Sequence, residues 1–199
     1  MLRKAVYPKI ESILNQWAGF FQKQGITPNQ LTLGGLALTF LTGWIYASGH
    51  FFLGGIVMLI GALGDLLDGP LARLSGKSSK FGAFLDSTVD RYSDFFLFGG
   101  LAVFFAWNGR YGWLVIVLGI IQGAFVTSYA KARAENLIEN CSVGIFERAE
   151  RIILLALGAL FPFLLPLALL ILFFGTQFTA LQRIFFTRQA LAENKPQNA

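Results

Sequence analysis

The 199-residue sequence contains one cysteine and one histidine. A lone Cys141 allows no disulfide within the chain, so it reads as a structural or loop residue. A lone His50 excludes a His-rich metal site and a His-based triad, and it too reads as a loop residue. Charge is scarce as well: Asp, Glu, Lys and Arg make up 14% of the chain, against roughly 25% in an ordinary soluble domain. Too few polar residues remain to cover a soluble globule. The apolar class supplies 55%, with 21 Phe and 22 Gly. That excludes a disordered chain and fits packed membrane helices. The net charge of +5 comes from basic residues spread over short segments. This pattern points to an anionic membrane surface and not to nucleic acid.

The opening residues carry no cleavable signal-peptide pattern, because Lys9, Glu11, Asn15, Gln16 and Lys23 interrupt them. Val6, Ile10, Ile13, Leu14, Trp17, Phe20 and Phe21 recur there at helical spacing. Residues 1–24 are therefore expected to form an amphipathic helix. It either lies on an anionic leaflet or packs on the rest of the protein. Residues 28–188 are expected to form a six-helix membrane bundle, with spans at 30–48, 52–73, 82–106, 112–133, 147–163 and 165–186. Pro162 and Pro166 alone divide the last pair. Residues 189–199 form a polar tail. The fold class is thus all-α, one polytopic membrane domain over 1–199.

Basic residues orient the bundle. Arg3, Lys4, Lys9 and Lys23 precede span one, and Arg73, Lys77 and Lys80 lie between spans two and three. Lys131, Arg133, Arg148 and Arg151 lie between spans four and five, and Arg183, Arg188 and Lys195 close the chain. All four regions fall on one side, expected to be cytoplasmic together with both termini. The opposite loops hold only Arg110, with Trp44, Tyr46, Trp107, Tyr111 and Trp113 near them as an expected aromatic belt.

The acids are the unusual feature. Span two contains Asp65 and Asp68, three residues apart and so on one helix face. Span three carries Gly82, Asp86, Asp90 and Asp94 as a stripe at intervals of four. Ionisable side chains inside a bilayer are costly, and mark function. With a short connection, spans two and three are expected to be antiparallel neighbours with opposed acidic faces. Clustered carboxylates cannot all stay ionised without cations. Hard oxygen ligands suit Mg²⁺, Mn²⁺ or Ca²⁺, and two such ions shared by four Asp is a usual arrangement for phosphoryl displacement. Asp65 lies eight residues before Arg73, roughly 12 Å from the cytoplasmic end of its helix. A site at that depth meets a lipid head group from the side and a soluble substrate from the cytosol. A cation or proton transporter would instead favour acids at the midplane, broken helices and an internal repeat. No repeat is present.

Written out, the stretch is Asp65-x2-Asp68-Gly69-x2-Ala72-Arg73-x8-Gly82-x3-Asp86-x3-Asp90. All eight fixed positions and every gap resemble the signature of the CDP-alcohol phosphatidyltransferase (CDP-alcohol phosphotransferase) family, and the resemblance extends over essentially the whole chain. It implies transfer of a phosphatidyl-type group from a CDP-diacylglycerol-type lipid to an alcohol, with release of CMP. It implies two Mg²⁺ (or Mn²⁺) ions on Asp65, Asp68, Asp86 and Asp90, with Asp90 also the base that deprotonates the acceptor. Gly69, Arg73, Ser79 and Gly82 would contact the CDP-lipid. Pro28, Asn29, Gln30 and Leu31, opening span one, resemble a further CDP-lipid contact, although Pro28 at a helix start is also ordinary capping chemistry. The family also implies a homodimer in the cell (inner) membrane. A catalytically idle scaffold is disfavoured by the intact Asp90.

The acceptor is read from three basic clusters at the cytosolic mouth: Lys131 with Arg133, Arg148 with Arg151, and Gln182-Arg183. Together they point to a phosphate-bearing polyol. These segments resemble the phosphatidylinositol phosphate synthases and their archaeal-lipid counterparts within the family. That resemblance implies inositol phosphate held by Lys131, Arg151 and Arg183, with Arg148 beside them. Glycerol 3-phosphate is the alternative acceptor.

Overall fold

The computed structural model describes the backbone of residues 2–193 and the side chains of residues 13–193. Seven helices connect without a strand among these residues: α1 (Leu2–Lys23), α2 (Pro28–Ala47), α3 (Phe51–Leu74), α4 (Lys80–Trp107), α5 (Tyr111–Ala134), α6 (Arg148–Leu160) and α7 (Leu165–Glu193). The expected cations Arg3, Lys4 and Lys9, and the apolar Val6 and Ile10, have side chains outside the described residues.

Local chemistry sets the boundaries. The Thr27 hydroxyl accepts from the Gln30 amide, and the Gln30 side chain accepts from the Thr27 N–H, a reciprocal capping box with Pro28 in the first turn. Ser79 caps α4 by accepting from the Gly82 amide at 2.9 Å. The α3–α4 connection turns at Gly76, whose φ of +63° suits a residue without a Cβ.

Helices α3, α5 and α7 are each long and apolar enough to cross a membrane. The chain is an integral membrane protein by that measure. The expected fifth span is shorter than its apolar run. Helix α6 has 13 residues, about 20 Å, against a hydrocarbon core of about 30 Å. Residues 161–164 turn between α6 and α7, where Pro162 cannot continue a helix. Helix α7 runs through 189–193, where a tail was expected, and residues 194–199 lie outside the described part.

Packing places the main core beyond Asp94, toward the end of the bundle away from Asp65, Asp68, Asp86 and Asp90. Tyr46, Met58, Phe98, Leu101, Ile120, Leu155 and Leu169 meet there. Tyr46 is fully buried, its hydroxyl against the Met58 sulfur, so it leaves the expected aromatic belt. Trp113 likewise stacks on Phe105. Trp44, Trp107 and Tyr111 stay exposed at that end. Helices α2 and α4 cross backbone to backbone. A Cβ on Gly43 would collide with the Phe96 carbonyl, and one on Gly100 with the Gly43 carbonyl. Helix α1 packs on α3 through a face that buries Ala18, and leaves Ile13, Trp17 and Phe20 exposed. Cys141 lies in the α5–α6 connection, buried with Ile138 and Ala134 against Phe186 and Ala190 of α7, a structural position as expected.

Candidate active site in an acidic cleft

The two acidic helices are not the directly packed neighbours that a short connection suggested. Helix α2 packs closely against both α3 and α4, and these two do not pack extensively on one another. Small residues on α2 make this possible. Gly35 faces Asp65 and the Gly61 carbonyl, and Gly43 lies on the α4 backbone. With α2 wedged between them, α3 and α4 splay and leave a cleft of about 260 Å³, lined by Asp68, Gly69, Arg73, Ser79, Gly82 and Asp86 among others.

The cleft gathers most of the residues expected on a CDP-lipid. Pro28 and Asn29 also line it. Gln30 does not, because its side chain is spent on the Thr27 cap. Leu31 is also absent from the lining. Gly69 lies under the Arg73 guanidinium, at ordinary contact distance: a Cβ there would be 3.7 Å from it. Ser79 keeps its oxygen on the Gly82 amide.

Deeper in, Asp65 and Asp90 face one another across a guanidinium. Arg148 at the start of α6 donates from Nη2 to Asp65 Oδ2 at 2.8 Å, and Nη1 lies 2.6 Å from Asp90 Oδ1. All three side chains are only 15–24% exposed. Asp68 receives the Thr32 hydroxyl at 2.9 Å, a proton Thr32 shares with the Pro28 carbonyl. Asp65 Oδ1 is buried with no hydrogen-bond partner, pressed against the place where a Gly35 Cβ would stand. An orphaned anionic oxygen amid hard carboxylate donors suits a divalent cation. As the side chains stand, no three acids among the described residues converge on one ion. Arg148 holds two of them instead.

The third acid of the stripe is used differently. Asp94, one turn beyond Asp90, accepts from Arg151 Nη2 at 2.6 Å, with both side chains at most 4% exposed. Arg151 also donates to the Phe146 carbonyl. Arg148 and Arg151 thus form two rungs that tie α6 to α4, while α6 packs on α3 and α7.

Of the four cations expected on an acceptor phosphate, the structure leaves Lys131 most open. Its ammonium lies 3.5 Å from Glu147 and is 38% exposed. Arg183 is buried, and donates to the Val143 and Thr127 carbonyls and to Glu147 Oε1 at 2.7–2.9 Å. Arg151 is turned inward to Asp94 and Arg148 to the acids. As the side chains stand, these buried guanidinium groups take protein acceptors, because an unpaired buried charge is costly. Glu147, which gathers Lys131 and Arg183, was not singled out in the sequence. Its position next to Arg148 was the only available signal. Thr32 was also missed, one turn after Pro28 on the cleft-facing side of α2.

Comparison with known proteins follows this geometry. The family model for CDP-alcohol phosphatidyltransferase matches residues 25–187. An archaetidylinositol phosphate synthase of Pyrococcus horikoshii is 41% identical over 162 residues, 81% of this chain and 83% of the relative. A phosphatidylinositol phosphate synthase of Streptomyces avermitilis is 36% identical over 207 residues, 97% of this chain and 85% of the relative. The crystal structure of the Mycobacterium tuberculosis phosphatidylinositol phosphate synthase with CDP-DAG bound superposes with a TM-score of 0.84 at 30% identity, covering 94% of this chain and 100% of that one. A second structure of that protein, with manganese and citrate, has a TM-score of 0.83 at 30% identity and covers 93% of each chain.

Proposed function

The chain belongs to the CDP-alcohol phosphatidyltransferase family and is a transferase, and from this we propose that it moves a phosphatidyl-type group from a CDP-linked lipid to a hydroxyl of inositol phosphate, releasing CMP. The observation that carries the reading is the gathering of the acidic signature: Asp68, Gly69, Ala72, Arg73, Gly82 and Asp86 line one cleft with Ser79, and Asp65 and Asp90 are bridged by Arg148. The synthase names of the relatives and the CDP-DAG and manganese of the solved neighbours support it.

In this proposal Asp65, Asp68, Asp86 and Asp90 would hold the metal. Two divalent ions would polarise the diphosphate and lower the proton affinity of the acceptor hydroxyl. Arg73 meets diphosphate oxygens with its planar fork, and the missing Cβ at Gly69 and Gly82 lets the nucleotide approach the backbone. Asp90 takes the acceptor proton as the hydroxyl oxygen bonds to the lipid-side phosphorus. The bond from that phosphorus to the CMP oxygen breaks, and CMP leaves. Lys131 contacts the acceptor phosphate, with Arg148 and Arg183 beside it, while Arg151 stays committed to Asp94.

The site would face the cytoplasm, with six spans, of which α6 with the turn at 161–164 is the short fifth, α1 on the inner leaflet and both termini cytoplasmic. The basic residues at the α3–α4 and α5–α6 connections support that orientation. The half-exposed Trp17 and Phe20 of α1 suit an interfacial position. The test is CMP release by purified protein with CDP-diacylglycerol and Mg²⁺ or Mn²⁺, offered inositol phosphate or glycerol 3-phosphate separately. Turnover with inositol phosphate is expected. Turnover only with glycerol 3-phosphate would overturn the acceptor while keeping the acidic site.

A further inference from the structure

Arg148 stands in an unusual place for a cation expected to meet an acceptor phosphate. Its two terminal nitrogens reach Asp65 on α3 and Asp90 on α4, at 2.8 and 2.6 Å. These carboxylates belong to different helices that barely touch, so the guanidinium is the link between them. Both bonds are charge-assisted, and both are largely shielded from water. Arg148 Nε is buried and has no partner, so the fork is built for these two acids and satisfied by nothing else.

Neutralisation of the acids is obligatory at this depth, because several like charges cannot be held together uncompensated. A divalent cation ligated by the same two carboxylates would stand within a few ångströms of the Arg148 guanidinium, and the two positive groups would repel one another and compete for the same negative charge. The backbone of Arg148 is meanwhile fixed from below. Arg151, three residues on, is locked to Asp94 by a buried ion pair at 2.6 Å. Any displacement must therefore come from the Arg148 side chain and not from the helix. Glu147, the preceding residue, already carries Lys131 at the mouth.

We propose that Arg148 is an internal counter-cation of the acidic site, in competition with divalent metal for Asp65 and Asp90. Metal loading expels its guanidinium toward Lys131, where it joins the acceptor-phosphate cations. The proposal rests on the metal-dependent reading above and adds an order to it: metal first, acceptor second. It also explains why no three acids among the described residues converge while the fork is closed. By linkage, metal and acceptor anion should each tighten the other's binding through this one side chain.

The test is Mn²⁺ binding to the detergent-solubilised full chain by isothermal titration calorimetry, with thermal unfolding in EDTA and in Mn²⁺ as a second readout. Arg148→Gln removes the competitor. Its Mn²⁺ affinity is expected to rise about ten- to a hundredfold, the range to which loss of charged hydrogen bonds corresponds. Its stability in EDTA should fall, and Mn²⁺ should restore more of it than in the unaltered protein. Arg148→Lys keeps the charge but breaks the fork, and should also bind Mn²⁺ more tightly. If Arg148→Lys binds as the unaltered protein does, nearby charge alone sets the affinity and the competition is refuted. Unchanged or weaker binding in both variants refutes it too. No Mn²⁺ binding by any of the three proteins would overturn the metal reading itself. Finally, Mn²⁺ should tighten inositol phosphate binding in the unaltered protein and clearly less in Arg148→Gln. An equal effect in both would overturn the release of Arg148 toward the acceptor.

Discussion

Removing one partner of the Asp94–Arg151 pair should be among the most damaging single changes in this protein. The side chains are 4% and 3% exposed, 2.6 Å apart, and link α4 to α6. Asp94→Ala leaves a guanidinium buried with only the Phe146 carbonyl, at 3.3 Å, to satisfy it. Breaking a buried pair in this way costs about 3–5 kcal/mol, because the surviving charge is stranded. Arg151→Ala should cost a similar amount, stranding the carboxylate, whose Oδ1 already lacks a partner. Replacing both, as in Asp94→Leu with Arg151→Met, removes the desolvation penalty together with the attraction. It should cost far less than the sum of the singles, and can even be neutral. The assay is a double-mutant cycle on unfolding free energy in one fixed detergent, by chemical denaturation followed by tryptophan fluorescence. A coupling of at least about 2 kcal/mol is expected. Additive singles, or an Asp94→Ala variant within about 0.5 kcal/mol of the unaltered protein, would refute the claim that this rung is dry and committed.

Asp90→Asn keeps the size of the side chain but removes the base, so CMP release should fall by about 10²–10⁴-fold while the protein stays monodisperse. Turnover near that of the unaltered enzyme would refute the base assignment. Lys131→Ala should raise the acceptor KM by about tenfold, with little change in the KM for CDP-diacylglycerol. An unchanged acceptor KM would remove Lys131 from the phosphate pocket. Gly100→Leu should prevent the α2–α4 crossing and lower the midpoint of thermal unfolding sharply, since its Cβ meets the Gly43 backbone. Its neighbour Gly99 has nothing within 4 Å of a Cβ. Gly99→Leu should be tolerated, and equal loss in both would mean that close helix approach is not the cause.

Composition and pattern were enough to establish a helical membrane chain with an acidic site near one end. Apolar length, scarce charge and period-four acids follow from one-dimensional physics: a bilayer needs long apolar helices, and side chains three or four apart share a face. The signature from Asp65 to Asp90 was legible for the same reason, because it lies on two consecutive helices. The partners of those acids were not. Thr32 reaches Asp68 from 36 positions away, and Arg148 reaches Asp65 from 83. Nothing local distinguishes Arg148 or Arg151 from an ordinary cation anchoring a helix end. Only the tertiary structure turned them inward, because α6 begins beside α4 and a buried carboxylate must find a positive partner. It also decided that α2, and not a direct α3–α4 contact, shapes the cleft. Gly35 and Gly43 let a third helix come closer to each acidic helix than the two come to one another, and loop length cannot express that preference.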